Sequence, residues 1–238
     1  MMEGIAETSP RFRARMAGVF QLLESLTATF GQVIVLGKLV VSGNATATAA
    51  NILGHERLFW WGFASSLVAV AFHIVYALLF YDMLKPVNRR VSLLALLVLL
   101  VASAIQAVTG LLYLAPLLIL QGGSPVSALT PAQLQELALV FLKLNAYALN
   151  IHLVFFGLWC VLTGYLIFRS TFLPRVLGVL LTISGLGWLI YLFPPVAFRL
   201  FPFIAAASAL GEIPVEFWLM VMGVNAQRWK QQASAAVE

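Results

Sequence analysis

The sequence predicts an all-α membrane protein: a six-transmembrane-helix bundle, N-in and C-in, with a short interfacial helix in the first outer loop. Three observations predict it. Hydrophobic residues fill 62% of the 238 positions and charged residues only 10%, with a mean hydropathy of +0.97. A soluble domain is about a quarter charged, so this chain cannot coat a water-facing surface. The apolar residues fall into six continuous runs, each close to the ~20 residues that a helix needs to cross a ~30 Å hydrocarbon core. The third observation is that Lys and Arg crowd onto alternate connections between those runs.

The runs are Ala17–Val41, Leu58–Tyr81, Val91–Leu120, Ala138–Phe168, Val176–Phe193 and Pro202–Val224. Their apolar residues are continuous rather than alternating, which excludes an outer-membrane barrel and leaves the helix as the spanning element. Residues 1–15 are polar, with Pro10 and three arginines, and read as a cytoplasmic tail rather than a signal peptide. Residues 16–227 read as one membrane domain, and 228–238 as a second cytoplasmic tail.

Between the first two runs, Ser42–Arg57 offers capping side chains at Asn44 and Thr46 before a stretch of small residues, the pattern of a short helix at the interface. Gln121–Pro131 is rich in turn residues. Thr130 then caps a helix that Pro131 opens at its first position and that continues through Lys143 into the fourth span. Phe193-Pro194-Pro195 ends the fifth run, leaving Phe198–Phe203 as an aromatic interfacial stretch. Pro116 and Pro214 fall inside spans, where kinks are expected.

Orientation follows from the basic residues beside the spans. One side collects Arg11, Arg13, Arg15, Lys85, Arg89, Arg90, Arg169, Arg175, Arg228 and Lys230; the other has Lys38, Arg57, Lys143 and Arg199. Ten against four puts both termini in the cytoplasm. The scatter of these residues beside apolar runs explains the net charge of +5 by topology and excludes nucleic acid as a partner. The single cysteine, Cys160, has no partner for a disulfide and reads as a packing residue.

Ionisable groups in lipid cost at least ~2.5–3.5 kcal/mol each, so those that persist face the protein interior and form the functional short list. They are Glu24, His73, Gln106, Asn145, Asn150, His152, Glu212 and Glu216. Glu212 and Glu216 are four apart and share a helix face, where two carboxylates repel unless a proton or cation intervenes. Asn145 and His152, seven apart, also share a face. Lys38, His55, Glu56 and Lys143 form an outer-interface cluster in which ion pairing of Lys38, Glu56 and Lys143 is expected. No HExxH, HxxE or HxxxH spacing is present, so no metal site is assigned, and no cofactor is named. No GxSxG or phosphate-cradling loop points to nucleophilic or nucleotide chemistry.

Four stretches carry a family resemblance: AANILGHERL at 49–58, LKPVN at 84–88, FFGLWCVLTGYLIFRSTFLPRVLGVLLTISGLG at 155–187, and GEIPVEFWLMVMGVN at 211–225. On these the chain resembles domain-of-unknown-function family 4386, which implies a six-span protein of the bacterial inner membrane. The resemblance draws attention to His55, Glu56 and Glu212. The family pattern often has a histidine where Asn145 stands and an acidic residue near Ser65 or Ser66, and the loss of both weakens a metal or proton-relay reading.

Three functional readings stay open. In the first, an interior polar cavity holds a small amphiphilic, lipid-like molecule. Its polar group is oriented by Glu24, His73, His152 and Glu212, and its body packs on Trp60, Trp61, Phe155 and Trp159. In the second, Glu212, Glu216 and a histidine serve a membrane-embedded enzyme by acid-base or metal chemistry. In the third, the polar groups only fix packing in a structural or regulatory subunit. The partners are then the bilayer and a lipid-like small molecule. Small residues recur in Gly178–Gly187, but no motif fixes an oligomeric state.

Overall fold

The computed structural model describes residues 9–122, 126 and 128–235, and within them the chain is helical with no strand. The start of the expected amino-terminal tail, part of the loop after the third span and the last three residues lie outside the described residues. Six helices are long and apolar enough to cross a membrane. These are α1 (Pro10–Leu39), α3 (Glu56–Leu84), α4 (Arg89–Leu120), α5 (Pro131–Arg169), α6 (Arg175–Leu192) and α7 (Pro194–Val221). Two shorter helices, α2 (Ala45–Gly54) and α8 (Ala226–Ala235), are the others among the described residues.

Local chemistry sets the boundaries. The side chain of Asn44 accepts the Ala47 N–H at 2.9 Å and starts α2, as its position before the small-residue run predicts. Thr130 and Gln133 cap α5 reciprocally: the Thr130 N–H donates to Gln133 Oε1 (2.9 Å), and the Gln133 N–H reaches Thr130 Oγ1 (3.4 Å). Asn88 caps α4 through the Val91 N–H at 3.0 Å. Two boundaries differ from the sequence expectation. Helix α1 already begins at Pro10, inside the stretch read as a tail. Phe198–Phe203 is part of α7, because Pro194 opens that helix at its first turn, where a missing N–H costs nothing. Helix α4 runs on through Pro116, and α7 through Pro202 and Pro214.

The chain divides into two compact units. The first comprises residues 1–22, 73–102 and 153–238. Its core is an aromatic cluster on α3 and α5, in which Phe80 and Trp159 meet edge-on at 5.2 Å and Phe156 stacks on Trp159 at 5.5 Å. Cys160 is buried in the same core, as expected of a packing residue. Helices α5, α6 and α7 approach so closely that side chains are excluded at the crossings. A Cβ on Gly164 would lie 2.7 Å from the Gly178 carbonyl oxygen, and one on Gly211 would lie 2.5 Å from the Leu180 carbonyl oxygen. The small residues around Gly178 thus serve packing within the chain. Arg11 and Arg15 donate to the carbonyls of Met222 and Val221 at 3.1 and 2.8 Å and satisfy the end of α7. Helix α8 is anchored by Trp229, whose indole N–H donates to the Met83 carbonyl at 2.8 Å.

The second unit comprises residues 23–72 and 103–152. Its core is Val35, Leu39, Ile52, Phe59, Tyr113 and Leu142. Within α1 the backbone widens into a π-helical turn over Thr29–Val35, a departure that recurs at functional sites. The Tyr113 hydroxyl donates to the Gly31 carbonyl inside that turn at 3.2 Å. Helix α2 closes the end of α1: Thr48 Oγ1 bonds both the N–H and the carbonyl of Val41 (3.0 and 3.2 Å), and Asn51 donates to the Leu39 carbonyl at 3.2 Å.

Candidate functional site

The polar residues singled out within the spans are buried, except Glu212, which is half-buried, but they do not all do the same thing. His73, Glu212 and Glu216 belong to the first unit; Glu24, Gln106, Asn145 and His152 belong to the second.

In the first unit His73 is fully buried in the aromatic cluster, with its ring stacked on Tyr76 at 4.9 Å and edge-on to Phe156 at 6.2 Å. Glu212 is the acceptor of a closed network. Its Oε1 takes hydrogen bonds from Ser184 Oγ at 2.6 Å, Trp188 Nε1 at 2.7 Å and Ser208 Oγ at 2.8 Å. Ser208 is one turn away on α7, and Ser184 and Trp188 are one turn apart on α6, so a single oxygen ties the two helices together. Glu216 is buried one turn further along α7, where the backbone presses on α1: a Cβ on Gly18 would sit 2.8 Å from its carbonyl oxygen.

In the second unit Glu24 accepts a long contact from Gln106 Nε2 at 3.5 Å, and both residues are buried, as is His152. Asn145 donates through Nδ2 to Gln32 Oε1 at 3.0 Å. It is only 2% exposed, and its Oδ1 has no hydrogen-bond partner among the described residues. The amide nitrogen of Gln32 is likewise uncommitted among the described residues. The pair therefore offers one acceptor and one donor whichever way the two amides are turned.

This amide pair borders a groove of about 290 Å³ between α1 and α5. Helix α1 contributes Gln32 and Leu36, with Val40 just beyond its end. Helix α5 contributes a stripe of Leu139, Leu142, Ala146 and Leu149. At 100° per residue, Lys143 and Asn145 flank that stripe on opposite edges. Ser42 and Gly43 of the α1–α2 turn border the groove as well. Gly43 has φ +73°, a left-handed conformation that side chains rarely adopt, so this turn is specified by its glycine. An apolar trough with a few placed polar groups is the usual form of a small-molecule site.

The outer-interface cluster is not a salt-bridge network. Among the described residues no ion pair joins Lys38, Glu56 and Lys143. Glu56 opens α3, where the helix dipole favours a carboxylate, and it receives the Gln121 side chain at 3.4 Å. His55 turns its Nδ1 to the Asn51 carbonyl at 3.0 Å. Lys38 and Lys143 are exposed, since a long stem carries the ammonium to water at little cost. No three His, Cys, Asp or Glu side chains come together as metal ligands among the described residues. Of the four aromatics expected against a ligand, Trp159 is buried in the first unit's core, whereas Trp61 is 70% exposed and faces outward with Trp60.

Sequence reasoning missed Gln32, Ser184, Trp188 and Ser208. Ser208 carried a usable signal, standing four residues before Glu212, and Gln32 stood out as an amide within the first span. Ser184 and Trp188 carried none, because nothing in a sequence fixes how α6 is rotated against α7.

Six apolar helices, with polar side chains that are buried in or between them, define a multi-pass integral membrane protein. The chain belongs to the family described as "Domain of unknown function (DUF4386)", which it matches over residues 16–223. It is also similar to an uncharacterized protein of Archaeoglobus fulgidus, 32% identical over 76 residues, which is 32% of this chain and 46% of the relative. The chain thus aligns with about half the length of that curated relative. No solved structure matches the chain.

Proposed function

We propose that this protein binds a small amphiphile in the groove between α1 and α5. The single observation that carries the proposal is Asn145: a buried amide beside an apolar groove, with an acceptor still open. An unsatisfied buried acceptor costs ~1–3 kcal/mol, and a ligand donor would remove that cost. At about 290 Å³ the groove stands at the small end of ligand sites, which run from roughly 300 to 1,000 Å³. It therefore suits one chain or one head group rather than a whole diacyl lipid. Glu24 and Gln106 lie in the same unit and support a polar surrounding at membrane depth. Helices α1 and α5 meet the bilayer as membrane spans, so the ligand is drawn from the lipid phase. The ten-to-four basic bias supports a location in the bacterial cytoplasmic membrane with both termini inside.

The test is occupancy. Native mass spectrometry of the purified protein is expected to show an amphiphile at up to one per chain. Ala146→Trp, which fills the groove from an exposed position on α5, is expected to remove it while leaving helicity and melting temperature near wild type. Retention of the ligand by a folded Ala146→Trp protein contradicts the proposal.

A further inference from the structure

The groove is polar at two levels, and the spacing between them constrains its ligand. The amide pair Gln32–Asn145 marks the deeper level, within the spans. Val40, just beyond the end of α1, stands at the other level; on α5 the ~3 Å from Asn145 to Lys143, an extended lysine stem of ~6 Å and an ion contact of ~3 Å place an acid anion up to about 12 Å from the amide pair. At that end the groove is bordered by Ser42 and Gly43 of the turn. Lys143 belongs to the same end. Side chains on a helix lean toward its amino terminus, and on α5 that direction runs from Asn145 toward Leu139, which borders the groove with Val40. The Lys143 side chain is exposed, and its ammonium has no partner among the described residues. Between the two levels the walls are Leu36, Leu139 and Leu142, with Val40 at the outer one. None of the residues around the groove is acidic.

Resting on the amphiphile-binding reading above, we infer that the ligand is a single-chain organic acid with a hydroxyl far from its head: the acid anion sits at Lys143 and the hydroxyl at the Gln32–Asn145 pair. Each part meets its chemical complement. An anion balances the unpartnered ammonium, and the absence of acidic residues leaves nothing to repel it. A hydroxyl is both donor and acceptor, so it can give its proton to Asn145 Oδ1 and receive one from the Gln32 amide. The leucine walls take methylenes only, and about ten carbons in a staggered chain cover the 12 Å between the levels. A plain acyl chain would leave the Asn145 acceptor and the Gln32 donor unmet. A second charge there would go unmatched, because the amides are neutral.

The probes are 10-hydroxydecanoate and decanoate, competed at equal concentration on the full-length protein in detergent and read by native mass spectrometry. Wild type is expected to prefer the hydroxy acid by about three- to tenfold, the range of one net hydrogen bond. Asn145→Leu and, independently, Gln32→Leu should bring that preference to near unity while decanoate still binds. Lys143→Gln should weaken both acids and spare 1,10-decanediol. Equal binding of the two acids in wild type, with both lost in Ala146→Trp, overturns the hydroxyl assignment and leaves amphiphile binding intact. Binding of both acids that is indifferent to Ala146→Trp overturns the groove itself, and this inference with it.

Discussion

Glu212 in the first unit and Asn145 in the second are both polar side chains carried by membrane-spanning helices, and their surroundings are opposite. Around Glu212, three donors from α6 and α7 converge on one oxygen within 2.8 Å, and the neighbouring backbones are pressed together at Gly211. Around Asn145, a single bond to Gln32 leaves an acceptor open beside a groove. The first arrangement spends its polar group on holding helices together; the second keeps one in reserve. Buried polar residues in a membrane protein are often read as one functional layer. Here their partners separate a fully engaged set, around Glu212, from the set that we propose for binding, around Asn145.

Substitutions break the comparison in a definite order. The largest expected effect is at Glu212. Replacing it with Leu removes three interhelical or i−4 bonds, each worth ~0.6–1.7 kcal/mol in a membrane, so a loss of about 2–4 kcal/mol is expected in reversible unfolding. Glu212→Gln keeps an acceptor oxygen and should lose less than half of that. Equal stability of the Leu and Gln variants would show that the network does not hold α6 to α7.

Next is Gly164→Leu, which forces a side chain toward the Gly178 carbonyl and is expected to cost about 1–3 kcal/mol or more by overpacking. Trp229→Ala should be milder, about 1 kcal/mol, from the loss of one hydrogen bond to Met83 and the packing of the indole. Its signature is local, with faster amide exchange in α8 and unchanged exchange in α6. The smallest stability effect belongs to Asn145→Leu, within about 1 kcal/mol of wild type, because the lost bond to Gln32 is offset by removal of an open acceptor. If Asn145→Leu unfolds the protein as strongly as Glu212→Leu does, the distinction between the two residues disappears.

The spans were legible because the bilayer imposes one length and one polarity on every crossing segment, and that constraint appears directly as hydropathy. Caps were legible because they are local: Asn44 before α2, and Thr130 with Pro131 at α5, are read within a few residues. The aromatic run at Phe198–Phe203 was not read as helix because Pro194 was taken only as the end of the fifth run, which it is, whereas it also opens α7 at its first turn. The partners of the buried polar groups were not legible. Asn145 meets Gln32 across 113 residues of chain, and Glu212 meets Trp188 across 24, at rotations that no periodicity encodes. The π-turn of α1 was also invisible, since no composition or periodicity in Thr29–Val35 marks it.

The most direct measurement is photolabelling with a medium-chain hydroxy acid that carries a diazirine in its chain, followed by peptide mapping. The groove predicts label on residues 32–43 and 139–149, competed away by 10-hydroxydecanoate and absent in Ala146→Trp. Label on α6 and α7 around Ser184, Trp188 and Glu212 instead would place the ligand at the closed network and contradict the assignment.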